Sequence, residues 1–153
     1  MIPVYLQDAL VKELKELFTG YKLINSKNNL VNINIFPQNL PIRKKEDDTT
    51  PFPYILVCIE EGEVNDDDNI VQIYLVIGIQ DKNENGQGDR DVINIITKIY
   101  QHLFHEKVID DKYEIIYPFK WALQDEDTFP KYYGGIETNW KIQNMKQKED
   151  EFI

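Results

Sequence analysis

Two segments, Tyr54–Glu60 and Ile70–Gln80, carry apolar residues on both faces over part of their length, and an acidic stretch from Glu61 to Asn69 separates them. Runs this apolar and this short read as strands buried in a sheet, and the Gly/Asn/Asp-rich stretch reads as the turn between them. The chain is thus expected to contain a central antiparallel hairpin whose wet tip is Asp66-Asp67-Asp68. Everything else must pack on that hairpin or extend it.

Two helices are expected around it. Leu6, Leu10, Leu14 and Leu17 recur at helical spacing with Phe18 beside them, and Gly20 stands just beyond, so Leu6–Phe18 reads as a helix with a narrow apolar face. In Asp89–Phe104, Val92, Ile96, Ile99 and Leu103 form one stripe that Ile93, Tyr100 and Phe104 widen. Asp89 after Gly88 reads as its N-cap. Val31–Phe36 alternates strictly and reads as a half-buried strand. Tyr113–Leu123 reads as a strand interrupted by Pro118, which suits an edge or a bulge. Ile136–Met145 alternates as a last strand. Pro37–Pro53, with four prolines and many charges, reads as a long exposed loop. The fold class is α+β: a mostly antiparallel sheet of four or five strands with two helices on it. Residues 1–145 form one domain and the charged residues 146–153 a frayed tail.

Composition narrows the chemistry. Asp and Glu outnumber Lys and Arg by 27 to 17, a net charge of −10. The one basic cluster, Arg43-Lys44-Lys45, is followed closely by Glu46, Asp47 and Asp48. That is no footprint for gripping DNA, and sequence-specific nucleic-acid binding is not expected. The acidity suits a basic protein partner. The apolar run Ile73–Ile79 is far short of the ~20 residues a membrane-spanning helix needs. With no signal-like N-terminus either, the cytoplasm is the expected location.

Cys58 is the single cysteine, so an internal disulfide is impossible, and in an apolar strand it reads as a small buried side chain. Ser26 is the single serine and has no supporting context for a hydrolytic triad. His102 and His105 stand three apart on the second helix, a spacing that can share a metal but lacks a third ligand here. In Asp81–Asp89, residues Asp81, Asn83, Asn85, Gly86 and Asp89 match positions of a calcium loop. Its twelfth position is Val92 rather than Glu, and a strand precedes it, so a strand-to-helix connector is the plainer reading. Gly134-Gly135 stands before a strand without a phosphate loop around it, and Asp125-Glu126-Asp127 reads as a solvated loop. No cofactor or metal is expected.

The order of features from residue 51 to 142 resembles a family. It comprises Pro51-Phe52-Pro53-Tyr54 leading into a strand, the strand Ile73–Asp81, and the helix start Gly88-Asp89-Arg90-Asp91. Pro118-Phe119-Lys120-Trp121, Asp125-Glu126-Asp127 and Phe129-Pro130-Lys131-Tyr132-Tyr133-Gly134-Gly135 follow. This pattern is similar to the tail terminator (tail-completion, head-to-tail joining) proteins of long-tailed phages and prophages. The resemblance implies an α+β subunit that forms a ring, typically a hexamer, on the head-proximal end of the tail tube. Such a ring ends tube polymerisation and presents a surface to the head connector. The family carries no catalytic residues. The expected location is then the host cytoplasm during assembly and the virion afterwards. Interface candidates are Arg43, Lys44, Lys45, Asp66, Asp67 and Asp68. Two other readings stay open: a neck protein one layer nearer the head, and a small ligand-binding domain or enzyme using Asp81, Asp89, His102 and His105.

Overall fold

A computed structural model describes residues 2–25, 27–42, 51–83 and 87–143. In chain order the elements are α1 (Ile2–Leu17), β1 (Lys22–Ile24), β2 (Leu30–Asn32), β3 (Asn34–Pro37), β4 (Tyr54–Val64) and β5 (Asp68–Gln80). Then come α2 (Gln87–Glu106), β6 (Val108–Ile109), β7 (Tyr113–Leu123) and β8 (Lys131–Gln143). The class is α+β with two helices. The main sheet has the order β3-β4-β5-β8-β7-β6, and β1 and β2 form a separate antiparallel pair.

That sheet corrects the expectation of four or five mostly antiparallel strands. It has six, is mixed, and curls into a half-barrel. β3 runs parallel to β4, a pairing that a tight hairpin turn cannot produce. β3 and β6 have four and two residues, too few to leave a periodic signature. The single strand read over Val31–Phe36 is two: the backbone changes partners at Ile33, with Val31 opposite Leu23 and Ile35 beside Ile55.

The β4–β5 hairpin is antiparallel and central, as its apolar runs require. Its strands are longer than expected, and only Asn65 to Asp68 turns, with the Asn65 N–H donating to the Asp68 carbonyl at 2.8 Å. The register breaks between Ile59 and Glu61, and again in β7 between Ile116 and Lys120, where Pro118 interrupts the ladder. Asn139 Nδ2 donates to the Pro118 carbonyl at 2.9 Å and fills that gap. Bulges of this kind bend a sheet locally and increase its twist, which accounts for the curl.

Both helices cover one face of the sheet. Leu6, Leu10 and Leu14 of α1 are fully buried, and so are Val92, Ile95 and Ile99 of α2, with Ile96 and Leu103 nearly so. They share one apolar core with Ile55, Val57, Ile73, Leu75, Ile77, Ile136 and Trp140. α1 begins earlier than its leucine stripe suggested, because Pro3 sits in the first turn, where a missing N–H costs nothing. α2 also begins earlier, at Gln87, so Asp89 lies in the first turn and is not the N-cap. Two buried polar groups are satisfied inside this core. Thr138 Oγ1 donates to the Ile73 carbonyl at 2.7 Å and accepts from Trp140 Nε1 at 2.8 Å.

Gly134 and Gly135 lie inside β8, which corrects their reading as a loop before the strand. A Cβ on Gly134 would stand 2.5 Å from Val92 Cγ1, so this glycine is what lets α2 lie close to the sheet. Pro51, Phe52 and Pro53, expected in an exposed loop, are buried. The rest of that stretch, residues 43–50, and the tail from 146 fall outside the described residues. No described helix is long and apolar enough to cross a membrane.

Candidate interaction surface

The residues singled out for chemistry do not converge. Asp89 and His102 stand thirteen positions apart on α2, about 20 Å along its axis. His102 Nε2 is 2.7 Å from Glu13 Oε1 and ties α2 to α1, while His105 is exposed in the last turn. Asp81 Oδ1 accepts the Asn83 N–H at 2.9 Å, the geometry of a local turn. Val92, at the twelfth position of the calcium-like loop, is buried against Gly134. Among the described residues no three His, Cys, Asp or Glu side chains gather as a metal would require. Cys58 is only half-buried; its thiol donates to the Gln38 carbonyl at 3.4 Å, and burial, then the charge of Glu60, pushes its pKa up. Such a thiol is held away from the reactive thiolate.

The interface candidates divide. Arg43, Lys44 and Lys45 lie outside the described residues, as does Ser26. Asp66 and Asp67 are exposed in the hairpin turn. Asp68 is half-buried at the start of β5, with Oδ2 at 3.8 Å from Lys141 Nζ. Glu60 to Val64 are exposed too, Val64 at 81%. Beyond Val57 no described strand lies outside β4. Gln38 takes the strand's place for one residue: its side-chain Oε1 accepts the Ile59 N–H at 3.0 Å, its Nε2 donates to the Ile59 carbonyl at 3.3 Å, and buried Gln7 Nε2 donates to that same Oε1 at 2.9 Å. From Glu60 onward this sheet margin has no described strand beside it and is acidic.

The other margin is different in character. β6 pairs only with Tyr113 and Glu114, so the outer edge of β7 has no described strand beside it from Tyr117 to Leu123. Tyr117 is 66% exposed and Trp121 53%. Phe104 stacks on Tyr117 with ring centroids 4.6 Å apart, and Phe119 meets Tyr100 edge-on at 5.2 Å. A hydrogen bond to Tyr117 raises the pKa of the Tyr100 phenol, with the neighbour's charge and slight burial adding to it. Beside this cluster, between α2 and β7, Ile93, Ile96, Thr97, Tyr100, Phe119 and Trp121 line a groove of about 220 Å³.

One helical turn back along α2, and just past the end of β7, lies an acidic basin of about 240 Å³. Asp89, Asp125, Glu126 and Asp127 border it, with Lys131 as the one cation of its lining. Lys131 Nζ lies 5.6 Å over the Phe52 ring. Tyr132, in the same wall, has its pKa raised by burial and then by the charges of Asp81, Asp89 and Asp127, as a negative local field demands. Asp91 is raised as well, by burial first, with Asp81 adding and a hydrogen bond from Gln87 opposing.

A larger cavity of about 500 Å³ lies between α1 and the turn after β6. Its α1 wall is Tyr5, Asp8, Ala9, Lys12, Glu13 and Glu16, of which Asp8, Lys12 and Glu16 alternate in charge at i, i+4 spacing, the pattern of a solvated helix face. The aromatic groove escaped the reading of the sequence, although a signal was present. Tyr117, Phe119 and Trp121 alternate around a proline that marks an edge strand, so their apolar side could not all be covered by neighbours. No protein-family model and no curated protein matches the chain.

Proposed function

We propose that this chain is a structural assembly subunit that works as a tail terminator: copies join into a ring on the head-proximal end of a phage tail tube, end its polymerisation and offer the joining surface to the head connector. In this reading it uses no cofactor and performs no catalysis.

One observation supports it most. Each margin of the main sheet has a stretch with no described strand beside it, and the two stretches are unlike each other, one acidic at Glu60–Asp67 and one aromatic at Tyr117–Trp121. Unlike patches suit heterologous, head-to-tail contacts, which close into rings when the rotation permits. The resemblance over residues 51–142 points the same way. The acidic margin, away from the aromatic one, suits a basic surface on the tube or connector.

Light scattering on a sizing column tests this. The expected mass is a fixed small multiple of 18.1 kDa, and the addition of that species should arrest growth of a purified tail-tube protein. A single-chain mass at every concentration, with no effect on tube growth, would overturn the proposal.

A further inference from the structure

We propose that the seam between α2 and β7 seats residues 40–45 of a second copy, with Leu40 and Ile42 in the aromatic groove and Arg43, Lys44 and Lys45 over the acidic basin. This rests on the ring reading and names the contact that would build it.

Three observations converge. The groove and the basin lie one helical turn apart along α2, Ile93 lining the one and Asp89 the other, so the seam presents rings first and carboxylates next. Its occupant should therefore be an extended segment that is apolar and then basic. The chain holds one such segment: Leu40-Pro41-Ile42 leads directly into Arg43-Lys44-Lys45, its only run of basic residues. Ile42 is 99% exposed where β3 hands the chain on, so it is not seated in its own groove. A large aliphatic side chain held wholly in water at the brink of a basic run has the character of an anchor awaiting a pocket.

The dimensions agree. Leu40 to Lys45 spans about 17 Å when extended, and Phe119 to Asp125 covers about 20 Å along and just past β7. No described strand lies along the outer edge of β7 there, so an incoming extended segment can also pair with its backbone. Pro41, which lacks an N–H, is tolerated at such an edge. β3 and β7 stand near opposite ends of the sheet order, so the contact is head to tail.

Charge exchange tests the seat. Reversing Arg43, Lys44 and Lys45 to Glu should reduce the assembled mass to that of one chain. Reversing Asp125, Glu126 and Asp127 to Lys should do the same, since all three side chains are exposed and their loss leaves the core untouched. Combining both reversals in one chain should restore assembly. A synthetic peptide of residues 38–46 supplies a second measurement, titrated into the chain carrying the 43–45 reversal. Trp140 is fully buried, so a fluorescence change reports Trp121. The change should saturate, and basin reversal should weaken it by about tenfold. If both reversed chains assemble as the wild type does, the ring reading stands and this seat is wrong. If the wild type is a single chain throughout, the ring reading falls and the peptide decides: no fluorescence change overturns the seat, and a saturable, basin-dependent change supports it.

Discussion

Gly134→Ala is the sharpest probe of how α2 is held on the sheet. The added methyl would stand 2.5 Å from Val92 Cγ1, with Ile96 Cδ1 and the Ala122 carbonyl each at 3.5 Å. Carbon atoms in good contact sit about 3.5–4.0 Å apart, so roughly 1 Å is missing. Val92 cannot turn aside, because a β-branched side chain in a helix has essentially one rotamer. The helix itself must lift, and overpacking of this kind costs about 1–3 kcal/mol. Replacing glycine stiffens the unfolded chain and returns about 0.4–1 kcal/mol. The net loss should be about 1–2 kcal/mol, a fall of roughly 0.5–1 M in the urea midpoint at unchanged slope. Val92→Ala alone should cost about 2 kcal/mol for two buried carbons and the void they leave. In the Gly134→Ala background that loss should nearly vanish, because the new methyl occupies the void. A double-mutant cycle should therefore return a coupling of about 1–2 kcal/mol. Additive losses would refute the argument that this glycine exists to admit Val92.

Other expectations follow from the same geometry. Asp110 and Asp111 have φ of +52° and +55°, and the Lys112 N–H reaches the Ile109 carbonyl at 3.2 Å, which is a type I′ turn. Asp111→Gly should raise stability by about 0.5–1 kcal/mol in thermal unfolding; a loss would show that Asp111 is held by something other than its backbone. Because burial raises the Asp91 pKa above 3.8, the folded chain binds that proton more tightly than the unfolded one. Stability from this group is therefore greatest below 3.8, falls as pH rises through the folded pKa, and stays lower above it. Asp91→Asn keeps an acceptor for Gln87 and should be more stable than wild type at pH 7 and equal to it at the acid end; equal stability at pH 7 would refute the sign.

The parts of the fold that declared themselves are those whose side chains obey one rule over many residues. β4, β5 and the stripe of α2 are of this kind, and Pro118 marked its own bulge. The parts that stayed hidden depend on partners that a local pattern cannot name. Alternation over Val31–Phe36 is real on both sides of Ile33, but a period of two is indifferent to which strand lies alongside. Gly134 and Gly135 look like a turn because glycine is conformationally permissive. Their use here is the opposite one, making room in a strand for Val92 on one face and the Tyr74 ring on the other. Gln38 completing the edge of β4 with its side chain has no sequence signature. The candidate surface was half legible for the same reason: its acids were visible as charge, but the groove forms where α2 packs beside β7, a pairing no local pattern names.

The acidic hairpin end separates two roles that charge alone confounds. Carboxylates on a bare strand edge prevent edge-to-edge pairing, and they also complement a basic partner. Reversing Asp66, Asp67 and Asp68 together would blur the two, since Asp68 sits 3.8 Å from Lys141 and a lysine there would face a like charge. Glu61, Glu63 and Asp67 are exposed, so their joint reversal to lysine should move the melting temperature little, within the ±0.5 kcal/mol usual for a surface site. If the seam between α2 and β7 builds the ring, the reversed chain should keep the wild-type assembled mass. If the hairpin end meets the tail tube, the reversed ring should no longer arrest tube growth, and wild-type arrest should weaken with salt, because exposed charges are screened within about 8 Å at physiological ionic strength. Light scattering and a tube-growth assay on one preparation read both quantities. A reversed ring that stops tubes as well as wild type would leave these carboxylates with the edge-protecting role alone; a reversed chain that cannot assemble would move the copy-to-copy contact from the aromatic seam to this acidic edge.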